Sequence, residues 1–183
     1  MSSPNFNFHP AQCEITLGNE AFHDRLAFEI RRAKREICDF VHPETATGHE
    51  DHDMELFQAY SEAMDRNVNV RFTMPELMWK MLIAMYVHKE HGKLRFLAED
   101  GHIRTLPQVW SPYTVFDRER VLLCVREPRK QMLFMQTILV HDPVLANQMA
   151  DGYDRMWADK AKIVDRAAVL GANWREKYAR PAA

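Results

Sequence analysis

Histidine and carboxylate side chains crowd one stretch of the chain. His42, Glu44, His49, Glu50, His52 and Asp53 all fall within HPETATGHEDHD, residues 42–53. Imidazoles and carboxylates are ligands for Zn or non-haem Fe, and His42, His49 and His52 are close enough in sequence to meet one ion. Their spacing matches no established ligand signature, however, and a long polar loop collects such residues for solvation alone. His88 and His91 form a second set, one helical turn apart and able to share a metal. Against that stands a solvent-facing helix end beside Lys89 and Glu90. No Ser-His-Asp signature, G-x-S-x-G, Gly-rich phosphate loop or H-E-x-x-H is present, and six glycines leave little room for a nucleotide cradle.

The elements that would position these groups can be read from period and punctuation. Residues 1–18 read as an arm with a short strand at Glu14–Leu17. Asn19 is placed to cap a helix beginning at Glu20. Phe22, Leu26, Ile30, Ala33 and Ile37 then lie on one helical face. Cys38-Asp39-Phe40-Val41 reads as a strand, and residues 42–53 as a loop whose Asp53 caps the next helix. Met54, Phe57, Tyr60 or Ser61, and Met64 hold that helix's period. Arg66-Asn67 ends it, and residues 68–72 alternate as a strand. Pro75 suits the first position of a third helix, with Leu77 or Met78, Met81 or Leu82, and Met85 as its buried face and Gly92 as its stop. Lys93–Leu97 and His102–Leu106 read as strands, with a turn at Glu99-Asp100-Gly101 between them. In Trp110–Val125 two apolar, β-rich runs flank the polar turn Asp117-Arg118-Glu119-Arg120, which is hairpin chemistry. Met132–Val140 is a further strand. Asp142-Pro143 opens a long helix with Leu145, Met149, Gly152 or Tyr153, and Met156 on one face. A last helix is expected from Ile163 to Tyr178. Early helix–strand alternation predicts parallel neighbours, and the later strands add antiparallel pairs. The expected fold class is therefore α/β, a mixed β-sheet sandwiched by helices. The expected organisation is an arm (1–18), one α/β domain (19–162) and a helical tail (163–183).

Composition bounds the function. A formal net charge of -2 excludes a nucleic-acid surface driven by bulk charge. The basic run Arg31-Arg32-Ala33-Lys34-Arg35, flanked by Glu29 and Glu36, reads as a solvated helix face. Three cysteines, Cys13, Cys38 and Cys124, form no C-x-x-C and fit a reducing compartment. Cys38 and Cys124 lie in expected strands and read as buried small apolar groups. No apolar run approaches ~18 residues, and the first ten residues lack a signal peptide's basic and apolar regions, so a cytoplasmic location is expected. Eleven methionines, among them Met74, Met78, Met81 and Met85 close together, fill core space or line an adaptable apolar pocket or dimer face.

Four blocks carry a family resemblance: AFEIRRAKREICDFV, ELFQAYSEAMDRNVNVRF, WSPYTVFDRERVLL and ILVHDPVLANQMADGYDRMWADK. In order and spacing they resemble one repeat of the phospholipase D superfamily over roughly residues 20 to 160. More narrowly, they resemble the degenerate single-repeat sensor domain of TrmB-type transcription regulators. The resemblance implies a phospholipase D-like single domain. Active members of the superfamily carry H-x-K-x-x-x-x-D in the hairpin, the His as nucleophile on phosphorus and the Lys on phosphate oxygens. Aligned on Asp117, this chain has Trp110 in place of the His and Pro112 in place of the Lys. An indole cannot attack phosphorus and a proline offers no charge. His91-Gly92-Lys93 supplies an H-x-K elsewhere, but its Asp100 arrives two residues late, ~7 Å along a strand.

The resemblance with those losses implies a non-catalytic sensor or regulatory domain that binds a small ligand or a partner protein, in transcriptional or signalling control. No catalytic residue is assigned. The expected ligand-binding residues are Trp110, Ser111, Tyr113, Thr73 and His42. No cofactor is expected, Zn or Fe at His42, His49 and His52 being the alternative. That alternative is a metal- or histidine-dependent hydrolase, phosphodiesterase-like, using the 42–53 loop or His91 and Lys93. No direct nucleic-acid or membrane binding is expected. Single-repeat members often pair across the cleft, so a homodimer is.

Overall fold

The computed structural model describes residues 12–41, 50–82, 101–107, 112–126 and 135–164. Its elements follow as β1 (Gln12–Leu17), α1 (Asn19–Arg32), β2 (Glu36–Phe40), α2 (Glu50–Asp65), β3 (Asn69–Pro75), α3 (Glu76–Leu82), β4 (Ile103–Leu106), β5 (Tyr113–Phe116), β6 (Arg120–Arg126), β7 (Met135–His141), α4 (Pro143–Asp159) and β8 (Lys162–Ile163). The described strands form one sheet in the order β1-β7-β6-β5-β2-β3-β4-β8. β2, β3 and β4 run parallel. Antiparallel β5, β6, β7 and β1 extend the sheet on one side, and β8 closes the other. The mixed α/β sheet expected from the alternation is thus observed.

Strand alternation divides the core in two. Ile37 of β2, Val70, Phe72 and Met74 of β3, Phe116 of β5 and Leu122 of β6 pack under α1, α2 and α3. Cys38, Phe40, Val115 and Val121 point the other way and pack under α4 through Ala146, Ala150 and Tyr153. The alanines let α4 lie close on the sheet, and Asp142 fixes where it starts. The Asp142 carboxylate accepts from the N–H groups of Val144 (2.8 Å) and Leu145 (3.2 Å), satisfying donors that a helix start leaves open.

The hairpin ties the two halves of the sheet together. Asp117 and Arg118 both have positive φ, 56° and 58°, and the turn closes with the Glu119 N–H donating to the Phe116 carbonyl at 3.0 Å. Consecutive left-handed residues give the turn whose twist matches the flanking strands. The Asp117 carboxylate reaches back to the link between α1 and β2. It accepts from the backbone N–H groups of Arg35 (2.7 Å), Lys34 (3.1 Å) and Glu36 (3.2 Å). Asp117, the one residue of the H-x-K-x-x-x-x-D pattern that the resemblance matches, therefore has a structural use here.

Several boundaries differ from the sequence expectation, each for a physical reason. α1 is capped by Gly18 at φ 97°, with no side-chain cap, so Asn19 is its first residue rather than its cap. α1 ends at Arg32, and Ile37 belongs to β2, although Ala33 and Ile37 still join the same core. α2 begins at Glu50, which puts Asp53 inside the helix instead of at its cap. Its deepest row is Leu56, Ala59, Tyr60 and Ala63, because small alanines allow the close approach to α1. Pro75 ends β3 rather than opening α3, and α3 buries Met78, Trp79 and Leu82 while Leu77 and Met81 face solvent. β1 pairs with β7 along its whole length, and Ile163 lies in β8 instead of a helix. The expected strand at Lys93–Leu97, the Gly92 stop and the helix beyond Val164 lie outside the described residues. No helix among the described residues is long and apolar enough to cross a membrane.

Candidate functional site

β2 carries a carboxylate where the fold calls for an apolar side chain. Ile37 and Asp39 face the layer of α1 and α2, while Cys38 and Phe40 face α4. In register, Asp39 lies between Thr114 of β5 and Phe72 of β3. Asp39 is only 5% exposed. The Thr114 hydroxyl donates to Oδ1 at 2.8 Å, and the Tyr60 hydroxyl, reaching down from α2, donates to Oδ2. Burial pushes the Asp39 carboxyl up to about 6, against the pull of the two hydroxyls, which favour its charged form. Burial, with the Asp39 charge beside it, also raises the Tyr60 phenol well above its ordinary value, so Tyr60 stays a donor.

Above Asp39 is a cavity of about 60 Å³, several times what one water requires. Phe22 and Leu26 of α1, Leu56 and Phe57 of α2, and Met78 and Leu82 of α3 form its roof. Phe40, Val41, Phe72, Met74, Pro112, Thr114 and Cys124 complete it from the sheet side. Val41 and Met74 line it at the C-terminal ends of β2 and β3, the edge at which open α/β sheets favour ligands. The lining is overwhelmingly apolar, with one fixed carboxylate, a combination typical of small-molecule sites. Cys124 adds no reactive thiolate, because burial raises its pKa far beyond the ordinary thiol range.

A second polar cluster lies on the α4 face. Arg71 bridges Glu36 (2.9 Å) and Asp154 (2.6 Å), and Arg118 bridges Glu36 (2.7 Å), Asp151 (2.5 Å) and Asp154. The Arg71 guanidinium also lies 5.3 Å from the Tyr153 ring and 5.9 Å from the Trp157 ring. These ion pairs join β2, β3 and the hairpin turn to α4, and their effect is to hold α4 on the sheet. Cys38 lies within this cluster, and burial pushes its thiol up to about 12, leaving it protonated.

The residues expected to bind ligand distribute as follows. Thr73 and Tyr113 flank Phe40 in register, so the structure does bring these two together. Both face α4, however, and neither lines the cavity. The Thr73 hydroxyl donates to the Tyr153 oxygen at 3.0 Å, and the Tyr113 ring lies 4.7 Å from Phe40. Trp110, Ser111, His42 and His49 lie outside the described residues, as do His88, His91 and Lys93. His52 falls in the first turn of α2. Pro112, standing where the superfamily has its lysine, lines the cavity. Sequence reasoning missed Asp39 and Tyr60. A signal for the first was available: an aspartate inside an apolar strand runs against strand preference and requires partners.

The fold is similar to those of solved phospholipase D family proteins. Nuc of Salmonella typhimurium, a family member, matches with a TM-score of 0.60 at 12% identity, over 84% of this chain and 98% of Nuc. NucT from Helicobacter pylori matches with a TM-score of 0.55 at 11% identity, over 82% of this chain and 99% of NucT. TrmBL2, an archaeal chromatin protein whose structure is described as showing a novel mode of DNA binding, matches with a TM-score of 0.62 at 15% identity. That match covers 84% of this chain and 55% of TrmBL2, so this chain spans about half the length of that relative. At these identities the likeness is one of fold, and it bears out the phospholipase D-like fold with its TrmB-like similarity. No curated protein matches the sequence. One family model, described as Domain of unknown function (DUF7436), matches residues 13–163.

Proposed function

The chain belongs to the DUF7436 family, a domain of unknown function, and from that premise and its phospholipase D-like fold we propose that it is a non-catalytic ligand-binding domain with a regulatory role. The observation that carries this reading is the apolar cavity over Asp39. Its described lining includes no histidine or lysine to act as nucleophile or to hold a phosphate. Hydroxyl groups fix Asp39, and the roof comes from three helices. A ligand there would bridge α1, α2 and α3 to the sheet and alter how the helices sit, which is a physical means of reporting occupancy to a partner protein.

A ligand that binds only the folded state raises stability by mass action, about 2.7 kcal/mol at a hundredfold excess over Kd. In a chain of this length that corresponds to roughly 5–10 °C in Tm. A thermal-shift screen of small, largely apolar compounds is expected to find such shifts in the wild type and to lose them in Leu56→Trp, which fills the cavity. No shift with any compound, or equal shifts in both proteins, would sink the reading.

We place the regulatory partner among proteins, a second copy of this chain included, and not among nucleic acids. DNA binding is described for TrmBL2, but the net charge of -2 here provides no general attraction for phosphate. Sedimentation velocity is expected to show a dimer whose coefficient duplex DNA does not change. A monomer would refute the dimer, and a faster species with DNA would refute the exclusion of nucleic acid.

A further inference from the structure

Asp39 is an acceptor with capacity to spare. An ionised carboxylate offers about four lone-pair sites, and the Thr114 and Tyr60 hydroxyls occupy one on each oxygen. Among the described residues no cation pairs with it. An unpaired charge in an apolar wall is costly, and a cation supplied there recovers much of that cost. Around the carboxylate the cavity presents the rings of Phe22, Phe57, Tyr60 and Phe72, whose negative faces also favour a cation.

Resting on the ligand-binding reading above, we propose that the cavity takes a small apolar molecule bearing a protonated amine, whose ammonium group pairs with the Asp39 carboxylate while its hydrocarbon part packs under α1, α2 and α3. Other classes fit the lining less well. A carboxylate or phosphate would face Asp39 without a compensating cation. A polyol would need more polar partners than Asp39, Tyr60 and Thr114 provide. A plain hydrocarbon would leave the carboxylate as it is.

The groups facing Asp39 determine the pH dependence. Among the described residues, Tyr60 on α2 and Cys124 on β6 are its titratable neighbours, with Tyr153 across the sheet, and burial keeps all three protonated near neutral pH. From α1 and α3 the cavity around it is lined by Phe22, Leu26, Met78 and Leu82. Among the described residues the amine preference therefore follows the protonation of Asp39, and it declines as the pH falls through about 6.

Isothermal titration with benzylamine and with benzyl alcohol, its uncharged analogue, tests the assignment. Near neutral pH benzylamine is expected to bind at least about tenfold more tightly, with the difference shrinking in acid. In Asp39→Asn the preference should vanish while benzyl alcohol still binds. In Tyr60→Phe the preference should persist. If Asp39→Asn does not fold, the wild-type pH profile decides alone. Equal or tighter binding of the alcohol near neutral pH overturns the amine assignment and leaves the ligand-binding reading standing. Binding of neither probe at millimolar concentration overturns the amine assignment, and the thermal-shift screen then judges the broader reading by itself.

Discussion

Asp117→Ala is expected to lower the free energy of unfolding by about 4 kcal/mol, measured as a drop in the urea midpoint at unchanged slope. The carboxylate accepts from the N–H groups of Lys34, Arg35 and Glu36 and lies 3.6 Å from the Arg120 guanidinium. Truncation orphans those donors at once, and hydrogen bonds to a charged acceptor contribute about 1.5–3 kcal/mol each, not fully additively. Alanine must also adopt φ near 56°, a region it disfavours. Asp117→Asn tolerates that backbone and retains one acceptor oxygen, so about half the loss is expected. A loss below about 1 kcal/mol in Asp117→Ala would contradict the view that this residue holds the α1–β2 link. The same bonds give Asp117 a use in a chain that has tryptophan and proline at the two positions where the resemblance would place His and Lys. The fold uses it independently of any chemistry.

Asp39→Asn has the opposite expected sign. The Asp39 carboxyl titrates at about 6 in the folded protein, against an ordinary value of 3.8. An acid with a raised folded pKa contributes its full stability below the unfolded value and loses it as the pH rises to the folded one. The native state therefore weakens between about pH 4 and pH 6, and above that it carries a penalty of about 3 kcal/mol. Asparagine retains an acceptor and has no charge to desolvate. The variant is thus expected to be more stable than the wild type near neutral pH, by up to that amount, with the gain fading towards pH 4. Denaturation at a series of pH values checks this. A variant less stable by the same amount at every pH would mean that Asp39 acts only through its hydrogen bonds. A buried charge that costs stability is what a binding site retained for use looks like.

Features set by neighbours in sequence were legible before the structure. The hairpin followed from a polar turn between β-rich runs, β3 from its alternation, and α4 from Asp142 followed by proline. Where packing decides, local pattern was off by small amounts. The helical period of α2 pointed at Phe57 and Met64, while close packing of Ala59 and Ala63 against α1 turns the helix slightly from that row. Ile37 continued the period of α1 and lies in β2 instead, since a residue three or four positions on meets the same core by either route. The two-residue strand β8 has too little length for any period to show. The candidate site was the least legible part. Asp39, Tyr60 and Thr114 are 21 and 75 residues apart along the chain, and only the stacking of α2 on the sheet and the pairing of β5 with β2 bring them together. The resemblance directed attention to the hairpin's start and to Thr73 on β3, and the described residues among these, Thr73 and Tyr113, face α4, on the opposite side of the sheet from the cavity.

The most direct test of the account is the titration of the Asp39 carboxyl carbon by NMR, with and without saturating benzylamine. A midpoint of about 6 in the free protein, shifted downward when the amine is bound, is the predicted result, because a paired cation favours the charged form. A midpoint in the ordinary aspartate range, unmoved by the bound amine, would contradict it.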